Sequence, residues 1–440
     1  MERHNKLPQN WILTKVNKIG KIETGTTPSK KEKENYGDDF PFYKPTELES
    51  GINVKDSREK LSKIGIKKAR IIPKNSILVT CIGATIGKTG LIRKEGAFNQ
   101  QINAIIPYIG VNPYYVYYQT ISHFFKKQII KNASSTTLPI LNKSRFSKLS
   151  FLLPPLNEQN RIVEKIEELF SELDKATEDL QKVREQLKVY RQSILKAAFE
   201  GELIGKGSYD YISFSKICDI NPPKKEINNI NGNLEVTFLP MSLLSTSGTM
   251  LKGEVRKLKN VIKGYTYFRN GDVLLAKITP CFENGKRAIA RELKNGIGFG
   301  STEFHVLRPR DKVISEWVFY GISFEGFRNK AKSQMTGTAG QKRVPKRVIE
   351  DYKIPVPEKL IQKKIVNKIE SRLSVCDKIE ESVESGLKKI EYLRQSILKK
   401  AFEGKLVPQD PKDTPAEELL KRIKIEKEKT KNNAKKKVKA

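Results

Sequence analysis

Twelve residues, YRQSILKAAFEG (Tyr190–Gly201), recur as LRQSILKKAFEG (Leu393–Gly404) with ten positions identical, an offset of 203 (393 minus 190). The match runs on without a gap. Gln159 falls on Gln362, Ile162 on Ile365, Val163 on Val366, Lys165-Ile166-Glu167 on Lys368-Ile369-Glu370, Asp174-Lys175 on Asp377-Lys378, and Leu203 on Leu406. Equal length in both copies suggests that length itself matters. In the first copy Ile162, Ile166, Leu169, Leu173, Ala176, Leu180, Val183, Leu187, Tyr190 and Ile194 alternate steps of four and three, a heptad seam set among good helix formers. Pro154 and Pro155 mark where the helix starts, and Gly201 and Gly205 where it stops. A helix from about Gln159 to Phe199 is roughly 60 Å long, and the 3.5-residue period predicts left-handed winding on a partner. The second copy holds its seam with Ile365, Ile369, Cys376, Ile379, Val383, Ile390, Leu393 and Ile397. Arg372 and Gly386 interrupt it, and Leu373 and Leu387 are the neighbours placed to substitute. Each helix needs a partner. The two copies packed antiparallel within one chain supply it; a coiled-coil homodimer is the alternative.

The charge of the chain follows the same division. The formal total is +33. Residues 1–153 carry 26 basic and 11 acidic side chains, and residues 204–357 carry 26 and 14. The helix segments are nearly balanced, with 8 against 11 over residues 154–203 and 11 against 8 over 358–403. The tail, 404–440, has 12 against 6. Two basic blocks and a basic tail point to a polyanion, because Lys and Arg displace counterions from phosphates. No apolar run reaches the roughly 18 residues of a membrane span, and the polar N-terminus lacks a signal-peptide core. Cys81, Cys218, Cys281 and Cys376 share no short spacing, which argues against a disulfide framework or a zinc site and fits a reducing cytoplasm.

Each helix copy follows a block of about 150 residues that reads as strands and turns with few strong helices. Ser76–Gly83 and Gly90–Ile92 read as buried strands in the first block, and Asp272–Ile278 and Arg287–Ala290 occupy the same places in the second. Ala133–Thr137 and Thr336–Ala339 are matching loops before the two helices. The repeating unit is block plus helix; the helices are close copies and the blocks distant ones. Two divergent basic blocks on near-identical spacers suit a reader of two different DNA half-sites. Asn and Gln pair with adenine edges, and Arg and Lys with guanine. Candidate contacts in the first block are Thr26, Thr27, Ser29, Lys30, Lys31, Lys44, Lys67, Lys68, Arg70, Lys88, Asn99, Gln100 and Gln101. In the second they are Lys277, Thr279, Asn284, Lys286, Arg287, Ser301, Thr302, Glu303, Gln341, Lys342 and Arg343.

Several stretches imitate catalytic motifs. GATIGKT (Gly83–Thr89) is one residue short of a phosphate-binding loop and is followed by a strand-like run, so a turn that offers Lys88 to a phosphate is the better reading. NPPK (Asn221–Lys224) has Lys224 where a base-flipping methyltransferase loop needs an aromatic ring. NPYY (Asn112–Tyr115) lacks the second proline, and no Gly-rich loop for a methyl donor follows a first strand. His4, His123 and His305 have no metal-ligand spacing, and His305 reads as a strand residue. A one-chain methyltransferase or ATPase, and a coiled-coil scaffold with incidental charge, remain the competing classes.

The paired RQSILKAAFEG and RQSILKKAFEG, the helix start LPPLNEQNRIVEKI, the end GKLVPQDP (Gly404–Pro411), TTPSKK, IGATIGKTG, ITPCFENGKRAIA and GIGFGSTEFHVLRP together resemble the specificity (S) subunits of type I restriction–modification enzymes over essentially the whole chain. The second helix start, IPVPEKLIQKKIV, departs from the pattern, with Ile361 in place of Glu158. The resemblance implies an α+β fold: two mixed α/β target-recognition domains (1–153 and 204–357) separated by two long antiparallel coiled-coil helices (154–203 and 358–405), with internal two-fold pseudo-symmetry. The basic tail, 406–440, reads as a frayed helix, an M-subunit contact or a disordered run, with disorder the expectation beyond about Lys429. The resemblance also implies a non-catalytic subunit that binds double-stranded DNA, two methyltransferase (M) subunits and restriction (R) subunits. S-adenosylmethionine would belong to M and ATP with Mg to R, with no cofactor in this chain. The implied helix-pair and M-docking positions are Gln159, Ile162, Ile166, Leu173, Leu180, Arg191, Phe199, Gln362, Ile365, Ile369, Val383, Arg394 and Phe402. A related system without a separate R subunit is the alternative.

Overall fold

The heptad rhythm is realised as two helices of equal length, Leu156–Phe199 and Lys359–Phe402, 44 residues each. The computed structural model describes residues 7–134, 138–200, 209–338 and 340–439; Gly201, Leu203 and Gly205 lie outside them. By its contacts the chain divides into two units, Met1–Asp179 with Gly386–Ala440, and Leu180–Ser385. Each unit therefore holds one globular block and one half of each long helix.

In the first unit the antiparallel pair Ile12–Lys15 and Ser150–Leu153 ties the start of the block to its end. A four-stranded antiparallel sheet follows in the order Gly20–Thr24, Ile102–Pro107, Ile77–Thr80, Thr89–Leu91. A second sheet carries the parallel pair Phe40–Tyr43 and Gly96–Phe98. The block is more helical than its sequence suggests, with helices at Pro113–Ile121 and His123–Asn132. PYYVYYQTI is aromatic and strand-like in composition. The Asn112 side chain nevertheless caps Tyr114 and Tyr115 N–H ahead of Pro113 at the first turn, which sets the helix. Ser122 caps the next helix through Phe125 N–H.

The second unit repeats this plan. Tyr211–Ser213 pairs with Lys353–Pro355. Its four-stranded sheet runs Cys218–Ile220, Phe304–Pro309, Val273–Ala276, Arg287–Ile289, and Glu235–Leu239 lies parallel to Ile297–Gly300. Helices Ser315–Ser323 and Glu325–Ser333 follow.

Within each unit the helix halves pair antiparallel. Arg394 bonds Asp174 and lies 4.9 Å from the Phe170 ring in the first unit. In the second, Arg191 bonds Asp377 at 2.6 Å and Glu380 at 2.9 Å. Asp174 and Asp377 are repeat equivalents, as are Arg191 and Arg394, so one ion pair is made twice. The seam of the second copy slips as its sequence suggests: Arg372 is exposed while Leu373 packs on the core. Tyr190, Ile379 and Leu393 leave the seam and are exposed.

The helix ends are seats for the blocks. Phe402 meets the Tyr115 ring edge-on at 5.5 Å within a core that also takes Ile162, Ile166, Leu398 and Ala401. Phe199 lies 4.6 Å from Trp317 and 6.0 Å from Phe324 in a core with Ile194, Ile365 and Ile369. The segment after the second long helix folds back on the first unit. Asp413 pairs with Arg161 at 2.6 Å, and this cation holds its carboxyl below the usual range. Ala416 N–H donates to Asn10 O, and the helix Ala416–Lys439 buries Ala416 and Ile423. The tail is thus helical past Lys429, nucleated by this packing. Glu158, with no counterpart at Ile361, is buried nearby, and burial raises its pKa.

Replacing either terminal ring of the helices is expected to loosen its own unit. Phe402→Ala and Phe199→Ala should each cost about 3–5 kcal/mol, read from urea unfolding; a loss under about 1 kcal/mol would show that the ring is not the seat.

Candidate nucleic-acid interface

In both blocks the chain leaves one sheet and enters the other through a three-residue link. The link is Asn99-Gln100-Gln101, between Gly96–Phe98 and Ile102–Pro107, and Ser301-Thr302-Glu303, between Ile297–Gly300 and Phe304–Pro309. Each link joins the two sheets; Gln100 and Thr302 at its middle are exposed, Gln101, Ser301 and Glu303 are partly exposed, and Asn99 is buried.

The surroundings of the two links match bond for bond. Cys81 N–H donates to Gln101 O at 2.7 Å, as Lys277 N–H does to Glu303 O at 2.9 Å. Leu141 N–H donates to Cys81 O, as Val344 N–H does to Lys277 O. Gly83 N–H donates to Pro139 O, as Thr279 N–H does to Lys342 O. Isolated bridges join Ser134 to Ile140 and Thr336 to Arg343. Ser135, Thr136, Thr137 and Ala339 of the intervening loops lie outside the described residues. The backbone frames are equivalent and the side chains are not.

Beneath each link sits a pin that sequence reasoning did not select. Asn103 Nδ2 donates to Leu141 O at 3.3 Å. His305 Nε2 lies 2.8 Å from Val344 O and Nδ1 lies 3.1 Å from Asn221 Nδ2. A carbonyl only accepts, so Nε2 carries the proton. Asn221 Oδ1 accepts from Val306 N–H, so its amide N–H faces an unprotonated Nδ1. Burial lowers the imidazole pKa, and the ring is neutral. The signal in the sequence is position: each pin stands two residues beyond the end of its link.

Around the first link the structure gathers Thr26, Thr27, Arg70, Asn99, Gln100 and Gln101. Thr27 bonds Gln100, Asn99 Nδ2 donates to Gln101 Oε1 at 2.9 Å, and Arg70 N–H donates to Thr26 Oγ1 at 2.9 Å. The Arg70 guanidinium bonds Thr24 O and lies 3.6 Å from Glu23. Ser29 and Lys31 are exposed in a loop, and Lys67 is exposed on the short 3-10 helix Gly65–Lys68. The other lysines are partnered: Lys30 and Lys44 both with Glu59, Lys68 with Glu32, and Lys88 with Glu49. Gly83–Thr89 forms no phosphate cradle. It is a hairpin turn, with Gly87 N–H donating to Thr80 O and Thr80 N–H to Lys88 O, and a strand follows.

Around the second link lie Lys277, Thr279, Ser301, Thr302, Glu303, Gln341, Lys342 and Arg343. Arg343 grips Glu303 through Nε at 3.0 Å and Nη2 at 2.9 Å, and this contact holds the Glu303 carboxyl below the usual range. Asn284 is exposed in the adjoining hairpin, while Lys286 donates to Met241 O at 3.0 Å. The Arg287 guanidinium bonds Ser323 Oγ and Gly285 O and lies 5.1 Å from the Phe319 ring, and burial lowers its pKa to about 10. These contacts brace the block. The NPPK stretch is likewise structural, since Asn221 serves His305 and Val306, and Lys224 donates to Ile262 O.

The helix positions divide in the same way. Gln159, Gln362, Ile162, Ile166, Ile365, Ile369, Val383, Phe199 and Phe402 are buried. Leu173, Leu180, Arg191 and Arg394 are partly exposed. Gln159 Oε1 accepts from Asn112 N–H and its Nε2 donates to Pro154 O; Gln362 does the same with Ile314 N–H and Pro357 O. Among the described residues no group of three or more His, Cys, Asp or Glu is placed to hold a metal ion, and no helix is long and apolar enough to cross a membrane. His4 lies outside the described residues.

Two equivalent frames that carry different polar side chains define a protein that presents two dissimilar recognition surfaces. Comparison with known sequences names the class. The type I restriction modification DNA specificity domain matches twice, over residues 8–184 and 206–389, and the chain belongs to that family. One match of this DNA specificity domain falls on each block and runs into its long helix. The chain is 37% identical over 262 residues to the EcoAI specificity subunit of Escherichia coli, a match that spans 50% of this chain and 44% of that one, so under half of that relative's length. It is 25% identical to the StySPI specificity subunit of Salmonella potsdam over 96% of both chains. The HsdS subunit from Thermoanaerobacter tengcongensis shares the fold, with a TM-score of 0.56 at 18% identity over 92% of this chain and 99% of that one. A chain from a structure of type I R-M complex assembly and conformational transition aligns with a TM-score of 0.71, also at 18% identity, over 91% and 99%.

The His305 pin has a consequence for acid stability. Its proton binds less readily in the fold than in the unfolded chain, whose ordinary value is 6.5. The contribution is full above about pH 6.5 and is lost as pH falls below it. His305→Asn, which copies Asn103, is expected to reduce the loss of unfolding free energy between about pH 7.5 and 5.5, measured in urea. An unchanged loss would assign it to other groups.

Proposed function

We propose that each block reads one half of a bipartite double-stranded DNA site, with residues 1–153 and 204–357 as the two readers. Residues 154–203 and 358–405 set the spacing between the halves and dock two methyltransferase subunits, and restriction subunits join that assembly. The exposed parts of the helices around Leu173, Leu180, Arg191 and Arg394 are the proposed docking positions, and 406–440 secures the first unit. S-adenosylmethionine belongs to the methyltransferase subunits and ATP with Mg to the restriction subunits. What carries the reading is the pairing of one backbone frame with two chemistries: amides at Asn99, Gln100 and Gln101, and hydroxyls with a carboxylate at Ser301, Thr302 and Glu303. A frame that only gripped phosphates would have no use for that difference, and no use for a carboxylate. The excess of 15 positive charges over residues 1–153 (26 minus 11) and of 12 over 204–357 (26 minus 14) supplies the attraction that does not depend on sequence.

The test is methylation of DNA by the chain assembled with methyltransferase subunits of its own system, with modified positions mapped by single-molecule sequencing. Exchange of residues 1–153 for another recognition domain should change one half-site and leave the other; a change in both would refute independent reading. Deletion of one heptad from both helices should shorten the spacer by about three base pairs, since seven residues rise about 10.5 Å and each base pair about 3.4 Å. An unchanged spacer would refute the ruler. Methyl transfer by the chain alone would refute the division of labour.

A further inference from the structure

The bidentate Glu303–Arg343 pair has no counterpart in the first unit, where Gln101 and Ile140 hold the equivalent places. We infer that Glu303 and Arg343 together read a G·C base pair in the half-site of the second domain; this rests on the DNA-reading function proposed above.

The argument begins with the carboxylate. Glu303 is ionised, because the Arg343 hydrogen bond and the neighbouring Lys277 charge hold its pKa down. An anion at a DNA-facing loop is repelled by phosphates, so its use there is to accept from a base donor, and cytosine N4 is the donor that carboxylates read. Its position is fixed at both ends. Lys277 N–H holds the backbone carbonyl, and Arg343 holds both side-chain oxygens.

The guanidinium completes the match. Arg343 has five N–H groups. Nε and one N–H of Nη2 are engaged by Glu303, and one N–H of Nη1 by Gln341 O at 3.0 Å. One N–H remains on each terminal nitrogen. Two parallel donors fit guanine O6 and N7. The guanidinium plane is set by the Glu303 contact, so little side-chain freedom is lost on binding. In the major groove a G·C pair offers two acceptors and one donor side by side, the complement of a guanidinium beside a carboxylate. The Glu303 side chain is 24% exposed and that of Arg343 43%. Both are therefore open enough to reach a base edge and anchored enough to be held in place. Thr302, exposed between sheet and pair, is free to take a backbone or neighbouring contact.

The experiment maps methylated sites with the full chain assembled with methyltransferase subunits, comparing wild type, Glu303→Gln, Arg343→Gln and Arg343→Lys. A bipartite motif from wild type establishes the reading on which the inference rests; its absence would remove that reading itself. Given the motif, each variant is expected to lose discrimination at one G·C position of one half-site by about tenfold or more. The other half-site and the spacer should stay unchanged and report that the subunit is folded and assembled. Arg343→Lys keeps the charge and loses the fork, so loss of discrimination with this variant supports bidentate reading even where Glu303→Gln fails to assemble. A second half-site unchanged in Arg343→Lys and Arg343→Gln, or a uniform fall in methylation at every site as expected for a lost phosphate contact, would overturn the inference.

Discussion

Two buried side-chain amides decide how this chain is built. Gln159 and Gln362 each accept from the backbone N–H that opens a helix of the block and donate to a carbonyl in the run before the long helix. A buried amide left unpaired costs about 1–3 kcal/mol, so each glutamine fixes one relative placement of block and helix within its unit. The apolar seats at Phe199 and Phe402 pack on the same block helices that the glutamines hold, through Trp317 and Tyr115. That the same bonds are made twice, 203 residues apart, is why the repeat must be gapless. One inserted residue would turn the seam by about 100° and separate the amide from the helix it holds.

The helices were legible because a period of 3.5 residues is a property of the sequence itself. Their equal length and the slip from Arg372 to Leu373 could be read there too. The blocks were less so. Pro113–Ile121 is rich in tyrosine and valine, and only the cap from Asn112 and burial on nearly all sides make it helical. The links at Asn99–Gln101 and Ser301–Glu303 could be picked out as polar runs between strands. Whether a cation is spent inside the fold is set by partners far away in sequence. Arg287 with Ser323, and Lys44 with Glu59, have no local signature. Asn221 is the sharpest case. Its motif imitates a catalytic loop, and its amide instead orients a histidine 84 residues away.

The tail adds an asymmetry that the repeat alone would not suggest. Asp413 on Arg161, Ala416 on Asn10, and Lys427 donating to Asn17 O fasten the C-terminal segment to the first unit. The two units share a frame, and the first is fastened in addition by the C-terminal segment.

The links between sheets separate two tasks that most binding loops confound. Their backbone is committed by bonds to Cys81 or Lys277, and the residues on either side are buried strand. Gln100 and Thr302, the middle residues of the links, are exposed. Such exposed positions can be exchanged by mutation at little cost to folding, so under the proposed reading a lineage could acquire a new target sequence in single steps without passing through an unstable protein.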